Sequence, residues 1–322
     1  MKDIVFSINE FIIRDNQLFS CNKYLNGLKL KYYRLNRPYS LEYYGNEEFR
    51  DLIHSKINNS RFQLSLNLSD CSKITDVSML KNLHSLNLSG CKKITDVSML
   101  GNLYSLNLSG CINITDVSML GNLHTLNLNY CQQIEDVSAL GKLHSLYLCC
   151  CDNVTDVSAL ENLHTLDLSC CHYITNVSML GKLHTLNLSY CHFIVDVSML
   201  GNLNTLVIGY CHYITDVSAL GKLHTLLLIG CSRIRDVSAL GNLHTLCLIE
   251  CNNITDVSML GNLNSLVLRE CDNITDVSML ENLDTLNIKD CKNIKNYKNI
   301  KQVYMLKSIN DLIVLENDLK IK

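Results

Sequence analysis

A period of twenty residues constrains this chain more than any other feature. Twelve of its seventeen cysteines follow that spacing, and we call them the ladder cysteines: Cys71, Cys91, Cys111, Cys131, Cys151, Cys171, Cys191, Cys211, Cys231, Cys251, Cys271 and Cys291. A fixed period of this size is typical of a solenoid, in which each repeat packs against its neighbours. The length of 322 residues would favour two domains, but the period predicts one long repeat array instead.

The apolar pattern within a repeat predicts its local structure. Residues 83–102 read LHSLNLSGCKKITDVSMLGN. Apolar residues alternate around Leu86 and Leu88, which predicts a short strand, and after Cys91 they come at every third position, which predicts a 3₁₀ turn. The inward set of this repeat is Leu83, Leu86, Leu88, Cys91, Ile94, Val97 and Leu100. One repeat cannot bury this set alone, so stability is expected to accumulate as repeats stack.

The pattern LxxLxLxxCxxITDVSxL resembles the leucine-rich-repeat family over residues 63–302. The cysteine followed by ITD is similar to the cysteine-type repeats of F-box proteins, and ITDVSxLGNL is similar to internalin repeats. Near-identical twenty-residue copies are also similar to leucine-rich-repeat proteins encoded by large DNA viruses of amoebae. The resemblance implies an α/β solenoid of about twelve repeats, a horseshoe with a parallel β-sheet on its concave face and short 3₁₀ turns on its convex face.

The ladder cysteines are interpreted as small buried hydrophobic side chains. Strands about 4.8 Å apart would bring neighbouring cysteines within disulfide range by distance alone. Twelve equivalent thiols in one core column nevertheless favour a packing role. Cys149, Cys150 and Cys170, near His172, form a local cluster that would suit a soft metal or a redox thiol. Chance drift among duplicated repeats is the alternative.

Charge and composition divide the chain into a repeat body and two different ends. Residues 1–62 hold ten basic and seven acidic groups, the body 63–286 ten and twenty, and the tail 287–322 eight and four. We predict a helical N-terminal region at 1–46, a cap helix within 47–62, where EEFRDLIHSKI has a helical apolar face, repeats over 63–302 and a C-terminal cap at 303–322. Since the body is acidic, nucleic acid is not the expected partner.

The first residues resemble a shortened F-box. The residues that carry the resemblance, and that would contact an adaptor, are Ile4, Phe6, Ile8, Phe11, Leu18 and Cys21. In F-box proteins such helices dock on a Skp-type adaptor of a ubiquitin ligase while the repeats hold the substrate. The usual Leu-Pro opening is absent, and Tyr24 stands where tryptophan is common. A plain capping or dimerising helical segment is the other interpretation.

The concave face, where leucine-rich-repeat proteins bind partners, changes character along the chain. It is polar in early repeats, where stacked Asn67, Asn87, Asn107 and Asn127 are expected to hydrogen-bond along the face. Later it becomes apolar with charged and aromatic neighbours, and we predict an exposed partner-binding surface there. Its residues are Val207, Leu227, Ile229, Cys247, Ile249, Val267, Tyr190, Tyr210, Glu250, Arg269 and Glu270. The alternative is that aliphatic residues simply suit strands.

Two further residue types recur at the repeat period. Histidines precede the strand at His84, His124, His144, His164, His184, His224 and His244, and a second file comprises His172, His192 and His212. Parallel side chains do not converge as zinc ligands must, so we expect exposed files that make the protein sensitive to acid. An aspartate such as Asp96 usually precedes Val-Ser, and we expect it to cap the 3₁₀ turn.

The sequence favours a protein-interaction scaffold over an enzyme. We find no nucleophile–base arrangement, phosphate loop or metal quartet, so no cofactor is expected. The start MKDIVFSINEFIIRD lacks a continuous signal-peptide core, and no apolar run approaches the ~20 residues that span a bilayer. A cytoplasmic protein without membrane contact is therefore expected, in the host cytoplasm if the protein is viral. Its partner is predicted to be a protein, with the Skp-type adaptor and the Cys149–Cys170 thiol or metal site as alternatives.

Overall fold

The computed structural model describes residues 32–57, 63–294 and 303–304. The chain divides by its packing into two compact units, Met1–Asn153 and Val154–Lys322. In each unit, twenty-residue repeats contribute one short strand and one 3₁₀ turn apiece. Neighbouring strands pair in parallel and in chain order. The predicted repeat fold is thus confirmed in both units.

The first unit is built on parallel strands joined by single turns. Its strands are β1 (Tyr32–Arg34), β2 (Gln63–Asn67), β3 (Ser85–Asn87), β4 (Ser105–Asn107), β5 (Thr125–Asn127) and β6 (Ser145–Tyr147). Helices α1 (Arg37–Gly45) and α2 (Glu47–Ile57) lie between β1 and β2. The 3₁₀ turns are Ser78–Leu80, Ser98–Leu100, Ser118–Leu120 and Ser138–Leu140. The register is one full repeat, because Leu86 pairs with both Leu66 and Leu106.

Residues 32–46, the described part of the region 1–46 that is expected to be helical, contain strand β1 as well as helix α1. Strand β1 pairs in parallel with β2, so the described sheet includes a strand ahead of the first repeat. Helix α1 then packs against β2, because the buried Ser40 hydroxyl accepts the Asn67 N–H at 3.0 Å and donates to the Leu35 carbonyl at 3.3 Å. A three-residue strand is too short to show an alternating pattern, and its pairing depends on β2 lying beside it.

The second unit continues the same architecture. Its strands are β7 (Thr165–Asp167), β8 (Thr185–Asn187), β9 (Thr205–Gly209), β10 (Thr225–Ile229), β11 (Thr245–Ile249), β12 (Ser265–Arg269), β13 (Thr285–Asn287) and β14 (Val303–Tyr304). Its 3₁₀ turns are Ser158–Leu160, Ser178–Lys182, Ser198–Leu200, Ser218–Leu220, Ser238–Leu240, Ser258–Leu260 and Ser278–Leu280. Among the described residues of both units, no helix is long and apolar enough to cross a membrane.

An asparagine on the strand face ends a strand early. In three-residue strands such as β3 the Asn87 carbonyl Oδ1 accepts the N–H of Ser89 at 2.9 Å, and this local turn closes the strand. Where Val207 or Leu227 replaces asparagine, the strand extends to five residues. From the sequence, each stacked asparagine is expected to hydrogen-bond to the next one. For Oδ1 of Asn87 this expectation is wrong, because that oxygen accepts the N–H of Ser89 in its own repeat.

Ten of the twelve ladder cysteines are buried free thiols, as the sequence predicts, and Cys71 and Cys291 at the two ends are partly exposed. The ladder thiols also donate hydrogen bonds. Cys111 Sγ donates to the Leu88 carbonyl oxygen at 3.1 Å, and Cys131 Sγ donates to that of Leu108 at the same distance. Burial raises the pKa of Cys111 to about 12 and that of Cys131 to about 11, so both remain protonated. The thiol thus satisfies a strand-end carbonyl of the preceding repeat as well as filling the core.

The repeated aspartates cap the 3₁₀ turns as predicted. Asp116 Oδ1 accepts the N–H of Ser118 at 2.8 Å, and Asp96 makes the same bond to Ser98 at 2.9 Å. These backbone hydrogen bonds lower the pKa of both carboxyl groups, because they favour the charged form. Each turn therefore begins at a position that the local sequence specifies.

Candidate functional site

The residue before each ladder cysteine has a left-handed backbone. We call these positions the turn row. Glycine stands there at Gly90, Gly110 and Gly230, with φ between 60° and 74°. Elsewhere the same backbone is held by residues that have a Cβ: Asp70, Tyr130, Cys150, Cys170, Tyr190, Tyr210, Glu250, Glu270 and Asp290. A left-handed conformation costs an L-residue about 1–2 kcal/mol, so each of these side chains is present despite a backbone cost.

Tyr210 connects four successive members of the turn row in the second unit. Its ring stacks on Tyr190, with the centroids 4.8 Å apart, and its hydroxyl donates to Glu250 Oε2 at 3.1 Å. The ring crosses Gly230, where an added Cβ would collide with it. Partial burial and the bond to Glu250 raise the pKa of Tyr210, so its hydroxyl remains a donor.

A charged pair continues this row beyond Tyr210. Arg269 Nε lies 3.0 Å from Glu270 Oε1, and both side chains are partly exposed. The Glu270 N–H donates to the Lys289 carbonyl at 3.3 Å, which fixes the backbone of the row at this point. The turn row thus presents two stacked phenol rings followed by the carboxylates of Glu250 and Glu270, and the Arg269 guanidinium lies beside it.

The strand face beside the turn row is aliphatic but only partly exposed. Parallel pairing aligns Val207, Leu227, Cys247 and Val267 in one column across β9 to β12. Val207 and Leu227 are partly exposed, as is Ile229 in the second column.

The exposure predicted for the rest of this face is wrong. Cys247, Ile249 and Val267 are only 1%, 5% and 9% exposed. The small thiol of Cys247 lies between the larger Leu227 and Val267, which shield it. These three residues therefore form a floor, and the accessible part of this face is Val207, Leu227 and Ile229 beside the turn row.

Other residues singled out from the sequence are placed differently or fall outside the described chain. Ile4, Phe6, Ile8, Phe11, Leu18 and Cys21 all lie outside the described residues, so the adaptor hypothesis stays a prediction. In the first unit Cys149 Sγ and Cys150 Sγ are 3.6 Å apart. Cys170 belongs to the second unit, and a thiol or metal role for these cysteines likewise stays a prediction.

The structure also shows an exposed aromatic row that the sequence reasoning missed. Tyr173, Phe193 and Tyr213 stack one repeat apart, with centroids 6.3 and 6.4 Å apart, and Tyr173 is 59% exposed. Arg233 Cζ lies 5.1 Å from the Tyr213 centroid, which extends the row by a cation–π contact. The signal was available, because an aromatic residue stands two places after three successive ladder cysteines.

Both histidine files form stacks of parallel rings. In the first unit the centroids of His84, Tyr104, His124 and His144 follow each other at 4.5–4.7 Å. In the second unit His172, His192 and His212 stack at 5.2 and 5.4 Å, and Nδ1 of His172 lies 3.0 Å from the Tyr190 carbonyl oxygen. Each ring is thus held parallel to the next at the surface.

Comparisons with known proteins agree with this architecture. The family model described as Leucine Rich repeat matches residues 79–100 and 159–180. An internalin (inlF) from Listeria monocytogenes is 26% identical, with a TM-score of 0.53, over 73% of this chain and 85% of the internalin chain.

Two other solved structures from Listeria monocytogenes are similar over a comparable part of the chain. The functional domain of InlJ, which includes a cysteine ladder, is 24% identical over 70% of this chain and 61% of its own, with a TM-score of 0.37. Internalin C2 is 26% identical over 66% of this chain and 83% of its own, with a TM-score of 0.34. No curated protein matches the sequence significantly.

Proposed function

We propose that this chain of leucine-rich repeats is a non-enzymatic scaffold that binds a protein partner through the second unit. The leucine-rich-repeat fold is a protein-interaction scaffold in general. The contact surface that we propose comprises the turn row from Tyr190 to Glu270 and the partly exposed strand-face residues Val207, Leu227 and Ile229. We call this the tyrosine–aliphatic surface.

The main support for this proposal is that residues with a side chain occupy left-handed positions of the turn row where glycine would be less strained. Gly90, Gly110 and Gly230 show that the repeat accepts glycine at this position, where glycine avoids the left-handed penalty. Tyr190, Tyr210, Glu250 and Glu270 accept that penalty. Strained residues cluster where a side chain is needed for binding, and tyrosine is enriched in protein interfaces.

In the tyrosine–aliphatic surface, the Tyr210 side chain is already ordered and can act as an anchor for a partner. Stacking on Tyr190 and the bond to Glu250 restrict the rotamers of Tyr210 before any partner arrives. A side chain that is already ordered loses little entropy on binding. Leu227 and Ile229 supply apolar area beside it, and Arg269 with Glu270 supplies a polar rim.

Affinity capture with matched variants tests the proposal. Leu227→Asp places a charge on the tyrosine–aliphatic surface, and Asn127→Asp makes the same acidic change at the equivalent strand position in the first unit. We expect the unmodified chain and the Asn127→Asp variant to retain the same proteins. The Leu227→Asp variant should fail to retain them, as measured by quantitative mass spectrometry. Tyr210→Gly should weaken the same capture.

A folding control accompanies each variant. Circular dichroism melting must show that Leu227→Asp and Tyr210→Gly keep the cooperative transition of the unmodified chain. If both folded variants retain the same proteins as the unmodified chain, the tyrosine–aliphatic surface is not the binding site.

A further inference from the structure

The ring column before the strands of the second unit is interrupted at one repeat. The rings of His164 and His184 stack at 4.4 Å, as do those of His224 and His244. Asn204 stands between these pairs, where the other positions from His164 to His244 carry an imidazole. Its Oδ1 accepts the Thr205 hydroxyl at 3.1 Å, the same local contact that Nδ1 of His184 makes with Thr185. An amide is shorter than an imidazole, so the column is recessed at this repeat.

An open surface depression of about 510 Å³, which we call the cavity, lies at this recess. The side chains of Lys182, Lys222, His184, His224, His244 and Asn204 line it, together with two further asparagines and a buried leucine floor. None of the described residues that line it carries a carboxylate. Nearly every polar side chain at the cavity can therefore donate a hydrogen bond, and two of them carry a fixed positive charge.

This donor-rich cavity contrasts with the charge of the surrounding repeats. The body 63–286 contains ten basic and twenty acidic groups. Lys182 Nζ lies 2.7 Å from Glu161 Oε2, which holds the ammonium group at the edge of the cavity while its other protons remain available to a ligand. The lining histidines, asparagines and Lys222, with the carboxylate at the edge already bonded to Lys182, favour an anionic ligand.

We propose that this cavity binds the carboxylates of an acidic peptide segment. The inference deepens the proposed function and rests on it, because it assigns a second contact to a protein partner. Lys182 and Lys222 are two repeats apart, which corresponds to roughly 10 Å at the usual strand spacing. In a peptide of polyproline II conformation, which has three residues per turn and rises about 3.1 Å per residue, carboxylates three residues apart lie on one face with a similar separation of about 9 Å.

The same features disfavour a nucleic acid as the occupant. Nucleic acid affinity depends on many phosphates being neutralised by lysine and arginine. Two lysines at the cavity offer little of this, and the acidic body around them would repel the remaining phosphates. A short acidic segment requires only the groups that the cavity supplies.

Fluorescence anisotropy with the full chain tests this assignment. The probe is a labelled twelve-residue peptide of Glu-Ser-Ser repeats, and its Gln-Ser-Ser counterpart and a twelve-nucleotide oligothymidylate are the comparison ligands. We expect the glutamate peptide to bind at least tenfold more tightly than either. Lys222→Glu should weaken its binding at least tenfold, and Asn204→His, which completes the ring column, should weaken it as well.

Lys142→Glu is the matched control, because Lys142 occupies the equivalent repeat position in the first unit and is exposed. It should change peptide binding less than twofold. Equal losses with Lys142→Glu and Lys222→Glu would show general charge attraction and overturn the site. Equal binding of the oligothymidylate, or of the glutamine peptide, would overturn the acidic-peptide assignment.

The two sets of variants distinguish a failure of the proposed function from a failure of the cavity assignment. Leu227→Asp lies on the strand face and should leave glutamate-peptide binding unchanged. If peptide binding follows the expected pattern but Leu227→Asp does not alter partner capture, the proposed function fails and the cavity assignment stands. If peptide binding fails while Leu227→Asp abolishes capture, only the cavity assignment fails.

Discussion

At the scale of a single residue, Gly110 is a position where the free-energy cost of a left-handed backbone can be measured without a steric collision. Its φ is +72°, and a Cβ there would have no heavy atom nearer than the Gly90 nitrogen at 3.7 Å. Gly110→Ala therefore adds backbone strain without a collision. We expect it to reduce the free energy of unfolding by about 1–2 kcal/mol, as measured by urea denaturation.

Tyr130→Gly is the opposite change at the same repeat position. Tyr130 has a φ of 63° and an exposed ring, so the gain from relieving the backbone should exceed the loss of packing. We expect stability to rise by roughly 0.5–1 kcal/mol. An unchanged stability for Gly110→Ala together with a loss for Tyr130→Gly would remove the strain argument on which the proposed function rests.

The ladder thiols give a second prediction at the residue scale. Cys131→Ala removes a buried sulfur and leaves the Leu108 carbonyl without its thiol donor. We expect a loss of about 1–2 kcal/mol in the free energy of unfolding, from the hydrogen bond and the buried area together. Cys149→Ala, at a half-buried thiol of the same unit, should cost less. Equal costs for the two variants would show that the ladder bond contributes nothing.

At the scale of the element, the aspartate cap couples each 3₁₀ turn to pH. The pKa of Asp116 is lowered in the folded protein, chiefly by the Ser118 N–H, so its stabilising effect is present above the ordinary aspartate pKa and is lost as the pH falls below it. Asp116→Ala should lower the Tm at pH 7 and lower it less at pH 3. Circular dichroism melting at both pH values measures the difference.

Asp116→Asn is the natural control for this cap. Asn176 already occupies the equivalent position, and its Oδ1 accepts the Ser178 N–H at 3.0 Å. The asparagine variant should keep most of the Tm at pH 7 and remove the dependence of this cap on pH. A Tm at pH 7 as low as that of the alanine variant would show that charge, and not the hydrogen bond, makes the cap.

At the element scale, strand length depends on residues that are visible in the sequence, but the apolar pattern does not predict it. Asn87 and Asn107 accept the N–H two residues ahead and end their strands after three residues. Val267 and Leu227 cannot make that bond, and β12 and β10 run to five residues. Apolar periodicity alone gives both types of repeat the same prediction, because the inward leucines are identical.

At the scale of the whole molecule, His124 makes stability depend on pH near neutrality. Burial, and then the charge of His144, lower the pKa of His124 in the folded state. The unfolded chain therefore binds more protons, so this stabilisation is full above the ordinary histidine pKa near 6.5 and is lost as the pH falls below it. We expect a lower Tm at pH 5.5 than at pH 7.5.

The variant His124→Asn separates this effect from other titrations. It repeats at His124 the substitution that Asn204 represents in the second unit, and it removes one imidazolium from the first unit's stack. The Tm difference between pH 7.5 and pH 5.5 should become smaller. The same Tm at both pH values for the unmodified chain would contradict this role of His124.

The sequence by itself determined the repeat, its inward residues, its register and its 3₁₀ caps. These features follow from local patterns that recur every twenty residues, so Leu86, Cys91 and Asp96 are assigned from their own repeat. Each needs only that a similar repeat lies on either side.

Only the tertiary structure decided which surface residues meet and which are covered. Tyr210 reaches Glu250 across 40 residues because Gly230 between them has no side chain. Cys247 is buried because Leu227 and Val267 beside it are larger, and the cavity exists because Asn204 is shorter than the rings around it. These outcomes depend on the relative size of side chains in neighbouring repeats at a spacing of about 4.8 Å, which a pattern within one repeat does not contain.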